Sequence, residues 1–581
     1  MLRRLVPVLI GLGLSATLVA SAVAQPVAPQ QSLAPLQTNP IDRLAPEPAP
    51  RVAPPLQGPP LVPQTGPGAG QSVRLADASV SGNVAVPSAT FAATLAPLAR
   101  QDVTLARIEE ARLAILTAYR TAGYPFAAVD AGLTPRPDGS ADVVFRVTEG
   151  YIAEVRLEGD IGPAGTQVLR FLEPLTRTRP IASADLERAL LLASDIPGLT
   201  IRGVVRPLAA EPGALQLVAQ VARRPFSGYL NVDNRGSRLA GPWQGLLAIG
   251  ANSFSEFGER TEVALFTAEA GQQYFGQGTF ESFIGASGLR MRVWAGAGEA
   301  RPGSQLAAIG YVGETQVFGG ALSYPLIRRR PISLSLIGQV DGFESDVKTG
   351  GSLATRDSVR SARVGFDMQS LDTFIPFLPG AVTVANVRIS QGFTGFGASS
   401  NTNAIPTRAG TRYDYLKASF DVVRTQPLFE IFDGWSLGIQ GAAAGQYSND
   451  VLPQVEKFFL GGSRLNRGFF AGQVTGDSAF TYGVELQLST RFELQGDAPW
   501  GLSNQVDAQF YIFRDAGRSW ENIRTDPNRR LVSYGLGARF TLVDALAVEV
   551  EGVRRQTRRP AGVAEDPLDR DAVFVRGLMR F

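Results

Sequence analysis

The chain reads as an all-β transmembrane barrel of sixteen antiparallel strands, preceded by two small α/β units. Three observations predict this. From residue 225 to Phe581, apolar and polar residues alternate with period 2, in short runs broken by Gly, Pro, Asn and Asp. The composition is Gly-rich (63 residues) with only 19% charged residues, and after the N-terminal segment no window approaches 18 uncharged apolar residues. The chain ends on Phe581, in register with Val573, Val575 and Met579 on one face of a final alternating segment.

In chain order, residues 1–24 have the form of a secretory signal. Arg3 and Arg4 precede the apolar run Leu5–Val19, and Ala22-Val23-Ala24 supplies small residues for cleavage. Removing this segment takes away two arginines and no acid, leaving 53 basic and 53 acidic residues, so no basic field points to nucleic acid. Residues 25–72 form a linker with 13 of the 39 prolines, which leaves no room for a helix of useful length and predicts extended chain. The sequence contains neither His nor Cys, which removes His- and Cys-based catalysis, thiolate metal sites and disulfides. No cofactor, nucleotide or metal site is visible, and the chain does not read as an enzyme.

Residues 73–148 and 149–224 repeat one plan of strands and helices about 75 residues apart. In the first, Leu105–Ala122 is amphipathic and is stopped by Gly123-Tyr124-Pro125, and Pro137-Asp138-Gly139 makes a turn. In the second, helices over 168–175 and 184–192 precede the turn Asp195-Ile196-Pro197-Gly198.

Residues 225–581 carry sixteen candidate strands, centred near Leu230, Leu247, Ala264, Thr279, Val293, Val317, Leu336, Val364, Val384, Phe420, Gly438, Glu485, Phe510, Leu536, Val548 and Val575. The spacing of about 22 residues suits ~10-residue membrane strands joined by short turns on one side and longer loops on the other. Trp435 and Trp500 sit at strand ends, as an aromatic girdle requires. The connection 448–479 is exceptional. It holds Phe458, Phe459, Leu460, Phe469 and Phe470, which would lie bare in water, beside Gly461, Gly462, Arg464 and Arg467. Such a loop is expected to fold into the barrel lumen.

Several local motifs carry a specific resemblance. Gly123-Tyr124 with Pro137-Asp138-Gly139, and Leu190-Leu191 with Asp195-Ile196-Pro197-Gly198, are similar to paired POTRA domains. Asp233-Asn234-Arg235-Gly236-Ser237 resembles a first barrel strand and turn, and Arg467-Gly468-Phe469 a lumen-loop tip. Phe513-Arg514-Asp515-Ala516-Gly517 resembles the strand motif that this tip meets. Together these resemble the TpsB class of two-partner secretion transporters, which export haemolysins and filamentous haemagglutinins. The resemblance implies a Gram-negative outer-membrane protein with periplasmic POTRA domains that captures an exported polypeptide, a large β-helical exoprotein, on POTRA strand edges. It further implies contact with outer-membrane lipid, and recognition of Phe581 by the barrel-assembly machinery. A latch is expected from Arg467, Gly468, Phe469, Phe513, Asp515 and Gly517, because alternation turns Asp515 toward the lumen; Arg464 is an alternative partner for that acid. Asn466 departs from the family pattern, which puts an apolar residue there. Alternative readings are a barrel-assembly factor of the same superfamily, or a passive porin. The proline density leaves no room for a ~20-residue plug helix, so the pore is expected to be closed mainly by the loop.

Overall fold

The computed structural model describes residues 33–46, 50–52, 70–208, 211–494, 504–542, 545–560 and 567–581. The signal segment 1–24, most of the linker and Trp500 lie outside the described residues.

The first α/β unit is a four-stranded sheet of Ser72–Ser81, Asp102–Thr104, Ala128–Pro135 and Ala141–Thr148. Helix Leu105–Thr121 covers it, started by Thr104, whose hydroxyl accepts the Arg107 N–H at 3.3 Å. The helix buries Ile108, Ile115 and Tyr119 against Val143 and Phe145. The second unit pairs Tyr151–Gly159, Ala214–Arg223 and Leu199–Pro207 under helices Gly165–Leu172 and Ser183–Ser194. The two units end their first strands alike. Gly82 and Gly159 both take positive φ (78° and 99°), and a Cβ on either would lie 2.3 Å from the carbonyl oxygen of the parallel neighbour strand, Val147 or Val221. Their junction is tied: Ser183 N–H donates to the Gly123 carbonyl at 2.8 Å. Glu149 accepts from the Val84 and Ala85 N–H groups and the Tyr119 hydroxyl at 2.8, 2.7 and 2.7 Å. Burial, reinforced by this carboxylate, pushes the Tyr119 hydroxyl pKa well up.

The remaining strands close into a single sixteen-stranded antiparallel barrel, and each of the sixteen strand centres named above falls inside one of them. The register follows the alternation. In Gln505–Trp520, Phe510 and Ile512 are 40% and 60% exposed on the outer wall, whereas Tyr511, Phe513 and Asp515 are 3%, 5% and 0% exposed on the lumen side. The barrel closes where Phe226–Asp233 meets Asp571–Arg580. Strand Val312–Arg328 carries a bulge between Pro325 and Ile327.

The second α/β unit seats on the turns at the barrel end nearest to it. Phe283 joins that unit's core, edge-on to Phe171 at 5.2 Å. Asp195 holds Arg328 with two hydrogen bonds of 2.8 Å, and Arg188 donates to the Pro325 carbonyl at 3.1 Å. Thus Arg328-Arg329-Arg330 is a turn that grips the α/β unit. Asp195 also meets Arg51 of the linker at 3.2 Å.

Two segments occupy the lumen, and here the expectation of a pore closed mainly by the loop is corrected, because part of the linker shares the lumen with it. Residues 33–46 lie inside the barrel as a 3₁₀ turn, Ala34–Leu36, and a four-residue helix, Ile41–Leu44. Leu36, Ile41 and Leu44 are buried with Leu246, Ala264, Phe266, Phe275 and Val317 on one wall. The prolines do keep the helices short, but an irregular chain buries its apolar side chains just as well. Its backbone is satisfied from the wall: Gln273 donates to the Pro35 carbonyl (3.2 Å) and Asn231 to the Leu44 carbonyl (2.6 Å).

Candidate functional site: the lumen latch

The loop enters the lumen through a short hairpin, Phe458–Leu460 paired with Val474–Gly476. Gly461 and Gly462 turn the chain over at its end, with φ of 100° and 135°. Phe469 is fully buried with Leu460, Val474, Ala479 and Leu531, and Phe470 packs edge-on to Phe574 at 5.8 Å. The apolar residues that made the loop anomalous in sequence are therefore the ones that fasten it to the wall.

At the tip, Asn466 takes φ 57°, a left-handed conformation that Asn tolerates better than an apolar residue would. Its Oδ1 accepts from the Thr481 hydroxyl at 2.8 Å. This accounts for the departure from the family pattern: the position needs a backbone reversal and a polar contact. Arg467 follows, pointing at the wall. Its Nε and Nη2 donate to Asp515 at 3.0 and 3.1 Å, and its backbone N–H donates to the same carboxylate at 2.9 Å. Nη1 donates to Glu485, and the guanidinium stacks 3.7 Å from the Phe513 ring centroid. Two glycines make this approach possible. A Cβ on Gly517 would lie 2.5 Å from Leu460 and 2.6 Å from Asn466 Oδ1, and one on Gly468 would lie 2.6 Å from Ser533 Cβ.

The structure thus brings Arg467, Gly468, Phe469, Phe513, Asp515, Gly517 and Gly461 to one place. Arg464 is elsewhere, paired with Asp421 on another strand. Several participants could not be assigned to the latch from sequence. Glu485 was visible only as one of the polar residues alternating with Phe480, Tyr482 and Val484. Glu551, with Arg235, adds a second layer: Arg235 pairs with Glu551, donates to the Arg467 carbonyl at 2.7 Å and lies 4.3 Å over Phe574. Arg539 completes it, bonding Glu485 and Glu549 at 2.6 Å each. Glu549 and Glu551 are therefore lumen acids held by arginines. Nearer the loop's neck, Arg408 bonds Asp477 (2.7 Å) and Glu521 (3.0 Å), and Glu456 sits between Arg363 and Lys417 at 2.7 Å from each. Among the described residues no group of three His, Cys, Asp or Glu side chains is placed to hold a metal.

Residues 296–540 match the family of haemolysin secretion/activation proteins ShlB/FhaC/HecB. The heme/hemopexin transporter protein HuxB of Haemophilus influenzae is 21% identical over 472 residues, covering 78% of this chain and 77% of its own length. The chain is a two-partner secretion transporter. Its fold is shared with CdiB from Escherichia coli (TM-score 0.68, 17% identity, 91% of this chain and 94% of that one) and CdiB from Acinetobacter baumannii (TM-score 0.58, 16% identity, 88% and 90%). This transporter resides in the outer membrane, its POTRA units lie in the periplasm, and it exports exoproteins. The turn at Arg328 is accordingly periplasmic and the lumen loop enters from the extracellular side.

Proposed function

We propose that the latch between Arg467 and Asp515 holds the transporter closed, and that an exported polypeptide captured on the POTRA strand edges displaces the loop and passes through the lumen. The reading gives the chain a signal cleaved after Ala24, a linker to residue 72, POTRA units over 73–148 and 149–224, and a barrel over 225–581. The observation that carries it is the burial of Asn466, Arg467, Gly468 and Phe469 at the loop tip, which bonds to side chains of the wall and not to its strand ladder. The loop can therefore change position without unmaking the barrel. Removing one partner from a buried ion pair costs about 3–5 kcal/mol, enough to redistribute a loop between states within a few kcal/mol of each other. The substrate is a large secreted β-helical polypeptide whose folding outside the cell supplies the driving force. The assembly machinery reads Phe581 before its main chain closes onto Gly228, which it does with bonds of 2.8 and 3.0 Å.

The test is a secretion assay with Arg467→Ala, Asp515→Ala and the double variant, using heat-modifiable migration to confirm an assembled barrel. Each single variant is expected to lower export at least tenfold, with the double no worse than the worse single variant. Multiplying defects would show that the two residues do not act as a pair. Capture is tested separately by deleting residues 73–221, which is expected to abolish export while a conducting pore remains in planar bilayers. Normal secretion by that deletion would move the binding site elsewhere.

A further inference from the structure

The outer wall of the last five strands has a charge pattern that export does not use. In a barrel, residues directly paired across strands face the same way. One row on the outside reads Leu486, Ile512, Leu536, Gly552, Val573. The next row toward the extracellular end reads Val484, Arg514, Tyr534, Arg554, Asp571. Four residues further up, Arg518 stands directly opposite Arg530. Between these levels the outer face carries Tyr482, Ala516 and Val532 and no charge. With about 3.3 Å per residue and a tilt near 40°, Arg514 lies roughly 23 Å above the periplasmic start of its strand, at the outer-leaflet boundary of a ~25 Å apolar band.

Of these four arginines only Arg554 is neutralised, by Asp571 at 2.7 Å. Among the described residues no carboxylate pairs with Arg514, Arg518 or Arg530, and all three are exposed. Like charges directly opposite on a ladder destabilise it unless something bridges them. The far wall behaves differently. There the outward Lys348, Arg356 and Arg360 are each paired with an acid, Glu314, Asp346 and Glu344. The second observation is a groove of about 960 Å³ bordered by Arg514 and Arg554, below the level of Arg518 and Arg530. The apolar row forms its floor and Val484, Arg514, Tyr534 and the Arg554–Asp571 pair its upper rim, and a Cβ on Gly552 would meet nothing within 4 Å.

We propose that this face is a binding site for a phosphorylated glycolipid of the outer leaflet. One acyl chain lies in the groove, and the headgroup phosphates bridge Arg514, Arg518 and Arg530. Guanidinium groups bind phosphate bidentately, and an anion between Arg518 and Arg530 relieves their repulsion. An apolar floor under a cationic rim matches an amphiphile standing in the membrane, whereas an acidic protein partner would have no use for a groove at acyl depth.

The test uses the full-length transporter in nonionic detergent, with native mass spectrometry of retained lipid A. Wild type is expected to hold diphosphorylated lipid A at least tenfold more tightly than its fully dephosphorylated form. Arg514→Gln/Arg518→Gln/Arg530→Gln is expected to remove that preference, and Arg356→Gln on the far wall to keep it. Single Arg518→Gln and Arg530→Gln variants, each expected to weaken binding about threefold or more, keep the result readable if the triple variant assembles poorly. Equal binding of the two lipids, or undiminished binding by the arginine variants, would overturn the site. Displacement of the lipid by millimolar inorganic phosphate would also overturn it, because the groove would then contribute nothing.

Discussion

The two segments inside the lumen are held by different physics. Residues 33–46 lie on one wall through apolar side chains and a few neutral hydrogen bonds, with Leu36, Ile41 and Leu44 doing most of the packing. The extracellular loop is fixed at its tip by Arg467 between Asp515 and Glu485, and at its neck by Glu456 between Arg363 and Lys417. They touch where Gly472 meets Pro35. An apolar contact is undirected and weakens in proportion to the area lost. A buried charge cluster fixes one geometry and is costly to leave half-made. The first arrangement suits a segment that is withdrawn, the second a segment that switches between defined positions.

Deleting residues 33–46 should produce the largest divergence between them. Single-channel conductance in planar bilayers is expected to rise several-fold, whereas Arg467→Ala raises conductance less than twofold because residues 33–46 still occupy the lumen when the loop shifts. Similar conductance in the two variants would dissolve the distinction. A smaller effect separates the two arginines that share Asp195. Arg328 is nearly buried and bidentate, while Arg51 is 62% exposed in its side chain. Arg328→Ala is expected to loosen the POTRA seat by about 2–3 kcal/mol, read as faster limited proteolysis between residues 195 and 226; Arg51→Ala should leave that rate unchanged, as exposed pairs contribute little. The smallest effect concerns salt. Raising NaCl from about 0.05 to 0.5 M should leave hydrogen exchange at residues 464–470 within twofold, because the latch charges are shielded from mobile ions. A steep salt dependence would mean that the tip is wet.

Much of this was legible in the sequence because a barrel wall is a repeated local rule. Each strand declares its two faces by alternation, so Phe510 and Ile512 could be separated from Phe513 and Asp515 without knowing any neighbour. The loop was legible for the opposite reason: Phe469 and Phe470 beside Arg467 break the rule for an exposed connection. Glu485, Glu551 and Arg235 could be assigned to the lumen but not to the latch, since they come from strands far apart in sequence and only barrel closure brings them together. Residues 33–46 were misjudged because proline count reports on helix length, and burial of Leu36 and Ile41 needs no long helix. The cationic outer face was hidden for a similar reason: Arg518 and Arg530 become opposites only through the register of their hairpin.

The bulge after Pro325 has a consequence for how a soluble unit is attached to a membrane wall. A proline has no N–H to give to the ladder, and a bulge takes up the mismatch. At this place the Pro325 carbonyl accepts from Arg188, and the ring packs beside Gly288. The irregularity therefore works as a mortise: a main-chain acceptor and an apolar edge are turned out of the sheet toward the periplasm, where an unbroken strand would have kept both for its neighbour. The POTRA unit is joined to the barrel through the weave of the wall itself, so a rotation of that unit pulls on the strand register beneath it.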